Sequence, residues 1–180
     1  MNKFIGYFIA LPISLMLGSV SLTLSELGGT AAIVAQNSSR SYQPLPAATC
    51  NQLKQEMTKV LKVKVTMTRA AFQDSVSGKR GTSCQLTATG NGRNFTKVSR
   101  VVRSLSTILT KQGWVEASNY VADGPTGAAR GFHKGNSLAM FYVEWEPSSD
   151  AKCPDDQPIS DCELLPEQQL YRITLNAARG

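Results

Sequence analysis

The chain has 180 residues, with 19 Lys and Arg against 13 Asp and Glu for a formal net charge of +6, 42% hydrophobic residues, 14 Gly and 8 Pro. These proportions exclude a disordered tail or a collagen-like repeat, and the length suits one folded domain better than two. Its one histidine, His133, excludes a multi-histidine metal centre and leaves any histidine-dependent nucleophile resting on that residue alone.

Met1-Asn2-Lys3, an apolar run from Phe4 to Leu24 and small residues around Ala31 to Ala35 form a signal-peptide layout over residues 1–35, with a cut after Ala35 or Ala32. The apolar run is longer than a common signal core and is broken by Pro12 and Ser14, so an N-terminal membrane anchor is the alternative. Residues 36–48 are polar, carry Pro44 and Pro46 and lack periodicity, which predicts a linker ahead of a single domain at 49–180.

Thr49 followed by Gln52 predicts a capping box, and Cys50, Leu53, Met57, Val60 and Leu61 at helical spacing predict a helix from about residue 50 to 62. Val63, Val65 and Met67 alternate with polar residues, as in a half-buried strand. A turn at residues 77–81 leads to a second strand with Cys84, Leu86 and Ala88 on one face, ended by Gly90-Asn91-Gly92. After Asn94, read as a cap, Val98, Val101, Val102, Leu105, Ile108 and Leu109 make one apolar helical stripe stopped by Gly113. Trp114 and Val115 open an extended segment, interrupted at residues 122–127. A hairpin follows, with arms at 128–133 and 137–146 and with Phe132, Ala139, Phe141, Val143 and Trp145 inward. A last strand spans 170–176, with Tyr171, Ile173 and Leu175 inward. Helices separated by hairpins predict an α+β two-layer sandwich, two helices on one face of a mostly antiparallel sheet of about five strands.

All four cysteines, Cys50, Cys84, Cys153 and Cys162, follow the exported segment, and an even number suits an oxidising compartment. Three pairings are possible. Residues 154–161 must turn back on themselves, which favours Cys153 with Cys162 and so Cys50 with Cys84. Zinc fits poorly, because no Cys-x-x-Cys spacing exists and His133 has no second ligand beside it.

Gly113-Trp114 after a helix, the turn at 122–127, Gly131-Phe132-His133-Lys134-Gly135, Val143-Glu144-Trp145-Glu146-Pro147 and the stretch from Cys153 to Asn176 resemble a group of small exported bacterial domains with no assigned activity. The resemblance covers most of residues 49–176. It implies secretion and a compact cysteine-stapled fold, and it carries over no catalytic or binding residue. Where the group has a cysteine after its last strand, this chain has Ala177 and Ala178.

Charge divides along the chain: 12 basic and two acidic residues between Cys50 and Lys111, then five basic and ten acidic from Gln112 onward. Lys97, Arg100, Arg103 and Lys111 fall on the solvent side of the second helix. They form a candidate binding face for an anionic glycan, a lipid headgroup or an acidic protein, with a merely solvated face as the plain alternative. Nucleic acid is not expected, because no aromatic residues interleave with the basic ones.

Several chemical groupings have a simpler reading. Gly90-Asn91-Gly92-Arg93-Asn94 before a helix resembles a phosphate cradle but reads as a turn. Asp155, Asp156, Asp161 and Glu163 depart from the calcium-loop spacing. Glu144 and Glu146 share a strand face and are the candidates for a hydrolase of envelope polymers, or else decorate that face. His133 reads as a surface residue, and Trp114, Phe132, Phe141 and Trp145 read as core. The expectation is an exported, non-enzymatic binding or accessory domain without metal, cofactor or catalytic residues. The alternatives are an envelope hydrolase and a purely structural component.

Overall fold

The computed structural model describes residues 41–154 and 157–180. The signal or anchor segment at 1–35 lies outside the described residues, as do the first five residues of the expected linker, Asp155 and Asp156.

Helix α1 (Ala47–Leu61) buries Cys50, Leu53, Met57 and Leu61 at helical spacing, whereas Val60, expected in the same stripe, is exposed. It starts earlier than the capping box implied: Pro46 is the N-cap, without a side-chain cap bond, and Thr49 lies inside the first turn. A proline there already holds a helix-compatible φ, and buried Leu45 anchors the approach. Lys62 ends the helix in the left-handed region at φ 56°. Helix α2 (Val98–Lys111) buries Val101, Val102, Leu105, Ile108 and Leu109 and stops before Gly113, at φ 81°. Asn94 does not cap it. Its Oδ1 accepts the Asn91 N–H inside the preceding loop, and the N-cap of α2 is Lys97.

The strands are β1 (Gln43–Pro44), β2 (Val65–Gln73), β3 (Arg80–Asn91), β4 (Val115–Asp123), β5 (Gly127–Lys134), β6 (Ser137–Pro147) and β7 (Gln169–Arg179). All named pairings are antiparallel, in the order β2-β3-β7-β6-β5-β4, with β1 on the end of β7. The sheet therefore has seven strands where about five were expected. The two beyond that count are β1, two residues long inside a proline-bearing stretch, and β4, read from sequence only as an extended segment because its register shift between Ala117 and Ala122 spoils its alternation. From Tyr42 onward the expected linker belongs to the fold, with Tyr42 and Leu45 buried and Ala47 already helical.

Both helices cover one face of the sheet. Period-two alternation brings Cys84, Leu86, Phe132, Phe141, Ile173 and Leu175 to that face, in one core with the stripes of α1 and α2. The Cys50–Cys84 disulfide ties α1 to β3, and Cys153–Cys162 closes the loop between β6 and β7. These are the favoured pairings. Such bridges suit an oxidising compartment. Among the described residues no helix is long and apolar enough to cross a membrane.

The opposite face carries a second, smaller core of Tyr42, Phe72, Tyr120, Leu138, Met140 and Ala178. In a flat sheet the edge strands β2 and β4 would lie about 24 Å apart, five interstrand spacings of about 4.8 Å. Yet Asp74, the residue following β2, accepts hydrogen bonds from Tyr120 on β4 (3.0 Å) and from Tyr42 (3.2 Å). The sheet must curl toward its open face until its edges meet over this core. Gly131 beneath Tyr120 has no side chain because a Cβ there would stand 2.5 Å from the Tyr120 Cβ.

Candidate anion-binding cleft

A cleft of about 690 Å³ opens at the start of α2 and lies within the range of ligand sites. Thr96, Lys97, Val98 and Ser99 form one wall with Arg103 a turn further on; Asp123, Gly124 and Pro125 at the β4–β5 turn face them, and Trp145 and Tyr171 line it from the sheet. The first turn of α2 has neither a side-chain cap nor an acidic residue, so its free amides and Lys97 set a positive potential at this end.

Arg130 builds the facing wall. Its guanidinium holds the Asp123 carboxylate at 2.8 and 3.0 Å, donates to the carbonyls of Ala122 and Ala129 and lies 3.4 Å from Glu116. It thereby fixes the β4–β5 turn and neutralises the acid at the lip of the cleft. Lys97 and Arg103, by contrast, are exposed and have no carboxylate partner among the described residues. Tyr171 is buried, and burial pushes its phenol above the usual tyrosine value, so it stays neutral. Trp145 is half-buried, with its indole at the margin of the core.

No family model matches this chain, and neither does any curated protein or solved structure.

The four basic residues singled out in the sequence are therefore distributed. Lys97 and Arg103 share the large cleft. Arg103 and Lys111 flank a groove of about 440 Å³ between α1 and α2, with Glu56 on its other side. Arg100 is exposed and lines none of these clefts. Trp114, Phe132 and Phe141 are core, as read, and Trp145, near the end of β6, is partly buried, packing against that core while also lining the cleft. Trp145 and Tyr171 are cross-strand partners, which no local pattern announces because 26 positions separate them in sequence.

The amides of the loop from Gly90 to Asn94 are already engaged. Gly92 N–H donates to Pro166 O, Arg93 N–H to Asn91 Oδ1, and Asn94 N–H to Asn91 O, which leaves no cradle for phosphate. Glu144 and Glu146 are exposed and border a shallow groove of about 250 Å³ with Arg172, which stands opposite Glu144 in register. As alternate residues of one strand they point the same way, whereas carboxylates that cut a glycosidic bond flank it from two sides. His133 is exposed and packs edge-on against Tyr120. Among the described residues no three His, Cys, Asp or Glu side chains gather as metal ligands.

Proposed function

We propose that this chain is an exported, disulfide-stapled binding domain of the cell envelope, without catalytic activity, and that its partner is an anionic glycan held in the cleft at the start of α2. The observation that carries this reading is the convergence of unpaired Lys97 and Arg103 with Trp145 and Tyr171 on one concave surface. Carboxylate or sulfate groups take the cations and the helix start, while a sugar ring lies against the indole. A lipid headgroup or an acidic protein would use the same cations, but a membrane surface or a broad protein face cannot follow a concave wall to its aromatic floor. The two disulfides and the charge split support export and an anionic partner respectively.

The test is binding of heparin as a polyanionic probe, with neutral dextran and anionic vesicles alongside, read by tryptophan fluorescence at low and high salt. The chain has two tryptophans, and the ligand-induced change is assigned to Trp145 rather than to buried Trp114 by its loss in Trp145→Phe. Heparin should bind, weaken steeply with salt, and lose at least tenfold in affinity in Lys97→Glu/Arg103→Glu. Affinity indifferent to salt and to this charge reversal would remove the proposal.

A further inference from the structure

At the opposite end of α2, about 21 Å from Lys97 by helical rise, a separate cleft of about 520 Å³ lies between the start of α1 and the lower ends of β5 and β7. Lys111 enters it from α2, Lys134 from β5 and Arg179 from β7, and none of its lining residues is acidic. Three cations from separate elements line this one cavity with no acidic residue in its lining, although Lys111 also borders the adjoining groove that holds Glu56, and such a surface favours an anion. Lys134 Nζ is steered by the Gln112 carbonyl, to which it donates at 2.6 Å, and keeps its other two protons.

A second observation is independent of charge. Gln112 lines the same cavity, and its Nε2 is buried without a hydrogen-bond acceptor. That Nε2 is out of reach of solvent, so an oxyanion in the cleft would meet it only once the Gln112 side chain turns toward the opening. Thr49 and Ser137 add hydroxyl donors around the opening, and Trp114 closes its floor.

We infer that this cleft is a second site, for a compact dianionic oxyanion of the phosphate class, either free phosphate or a soluble phosphomonoester. With three cations and neutral donors, a dianion with several acceptor oxygens leaves one positive charge over, whereas a monocarboxylate leaves two. The site is independent of the glycan reading, since it shares no lining residue with the cleft at the start of α2.

The experiment is an NMR titration of the full domain with inorganic phosphate at constant ionic strength, with glycerol phosphate and phosphatidic acid vesicles as separate arms and chloride as control. Saturable binding that shifts the Gln112 side-chain amide is expected, with each of Arg179→Gln and Lys134→Gln weakening it about tenfold or more. Heparin affinity should stay within about twofold in these variants if the two sites are independent. Free phosphate and glycerol phosphate binding alike marks a soluble ligand. Binding to vesicles alone overturns the assignment, as does an unsaturable response or one that both variants retain. Arg179 is exposed on the last strand residue, so its variant should fold even if Lys134→Gln does not. Loss of heparin binding with phosphate binding intact would sink the glycan proposal and leave this one standing.

Discussion

Replacing Asp74 with alanine removes an acceptor on which five hydrogen bonds converge: from the hydroxyls of Tyr42, Tyr120 and Ser77 and the amides of Val76 and Ser77. Asp74 is only 2% exposed and both tyrosines are buried, so water cannot replace the lost acceptor without entering the second core. Two bonds from buried phenols to a charged acceptor amount to about 3–6 kcal/mol. Relief of the carboxylate's own burial offsets part of this, leaving a net loss of about 3 kcal/mol. In urea unfolding, with a slope of about 1.5–2 kcal/mol/M, the midpoint should fall by about 1.5–2 M at an unchanged slope. The acid limb supplies a second readout. Burial alone would raise the Asp74 carboxyl, but the Ser77 hydroxyl, the Val76 and Ser77 amides and the Tyr120 hydroxyl outweigh it and hold it below its ordinary value of 3.8. A group lowered on folding stabilises the protein above its unfolded pKa and loses that contribution as pH falls through the folded value. Asp74→Asn should therefore be less stable at neutral pH and flatter below pH 4. A midpoint shift in Asp74→Ala under about 0.3 M would refute the idea that this carboxylate holds the curled edges of the sheet together.

Gly131→Ala drives a methyl into Tyr120 and should cost about 1–3 kcal/mol; combined with Asp74→Ala the losses should fall short of additive, since both act through Tyr120. In alkali, burial first and the Asp74 charge second push the Tyr42 phenol up to about 12, and Tyr120 moves the same way. Their stabilisation is complete below pH 10 and drains away as pH rises toward 12, so the part of the tyrosinate absorbance lost in Tyr42→Phe should appear near 12 in the folded protein; its appearance near 10 would contradict the role given to Asp74. Opening Cys50–Cys84, 34 residues apart, should cost about 3.8 kcal/mol and opening Cys153–Cys162, nine apart, about 2.7 kcal/mol, measured by urea unfolding of the paired alanine variants. Thiol titration of the native protein should find no free cysteine.

Features that depend on neighbours along the chain are legible before folding. The apolar stripe from Val98 to Leu109 required a helix with one buried face, and Gly113 ended it because only glycine takes its positive φ without strain. Alternation placed Phe141 and Leu175 inward and Glu144 outward before any pairing was known, because side chains on a strand repeat every two residues. The short cysteine loop could be paired because its ends cannot stray far. Features that depend on distant strands meeting emerge only in the packed chain. Nothing local to Asp74 shows that Tyr42 and Tyr120 will reach it, nothing near Trp145 that Tyr171 and Lys97 will share its cleft, and nothing around Lys134 that Lys111 and Arg179 will arrive beside it. Period and propensity act over a few residues, whereas these sites arise from the strand order β2-β3-β7-β6-β5-β4 and the curl of the sheet, which only the whole packed chain selects.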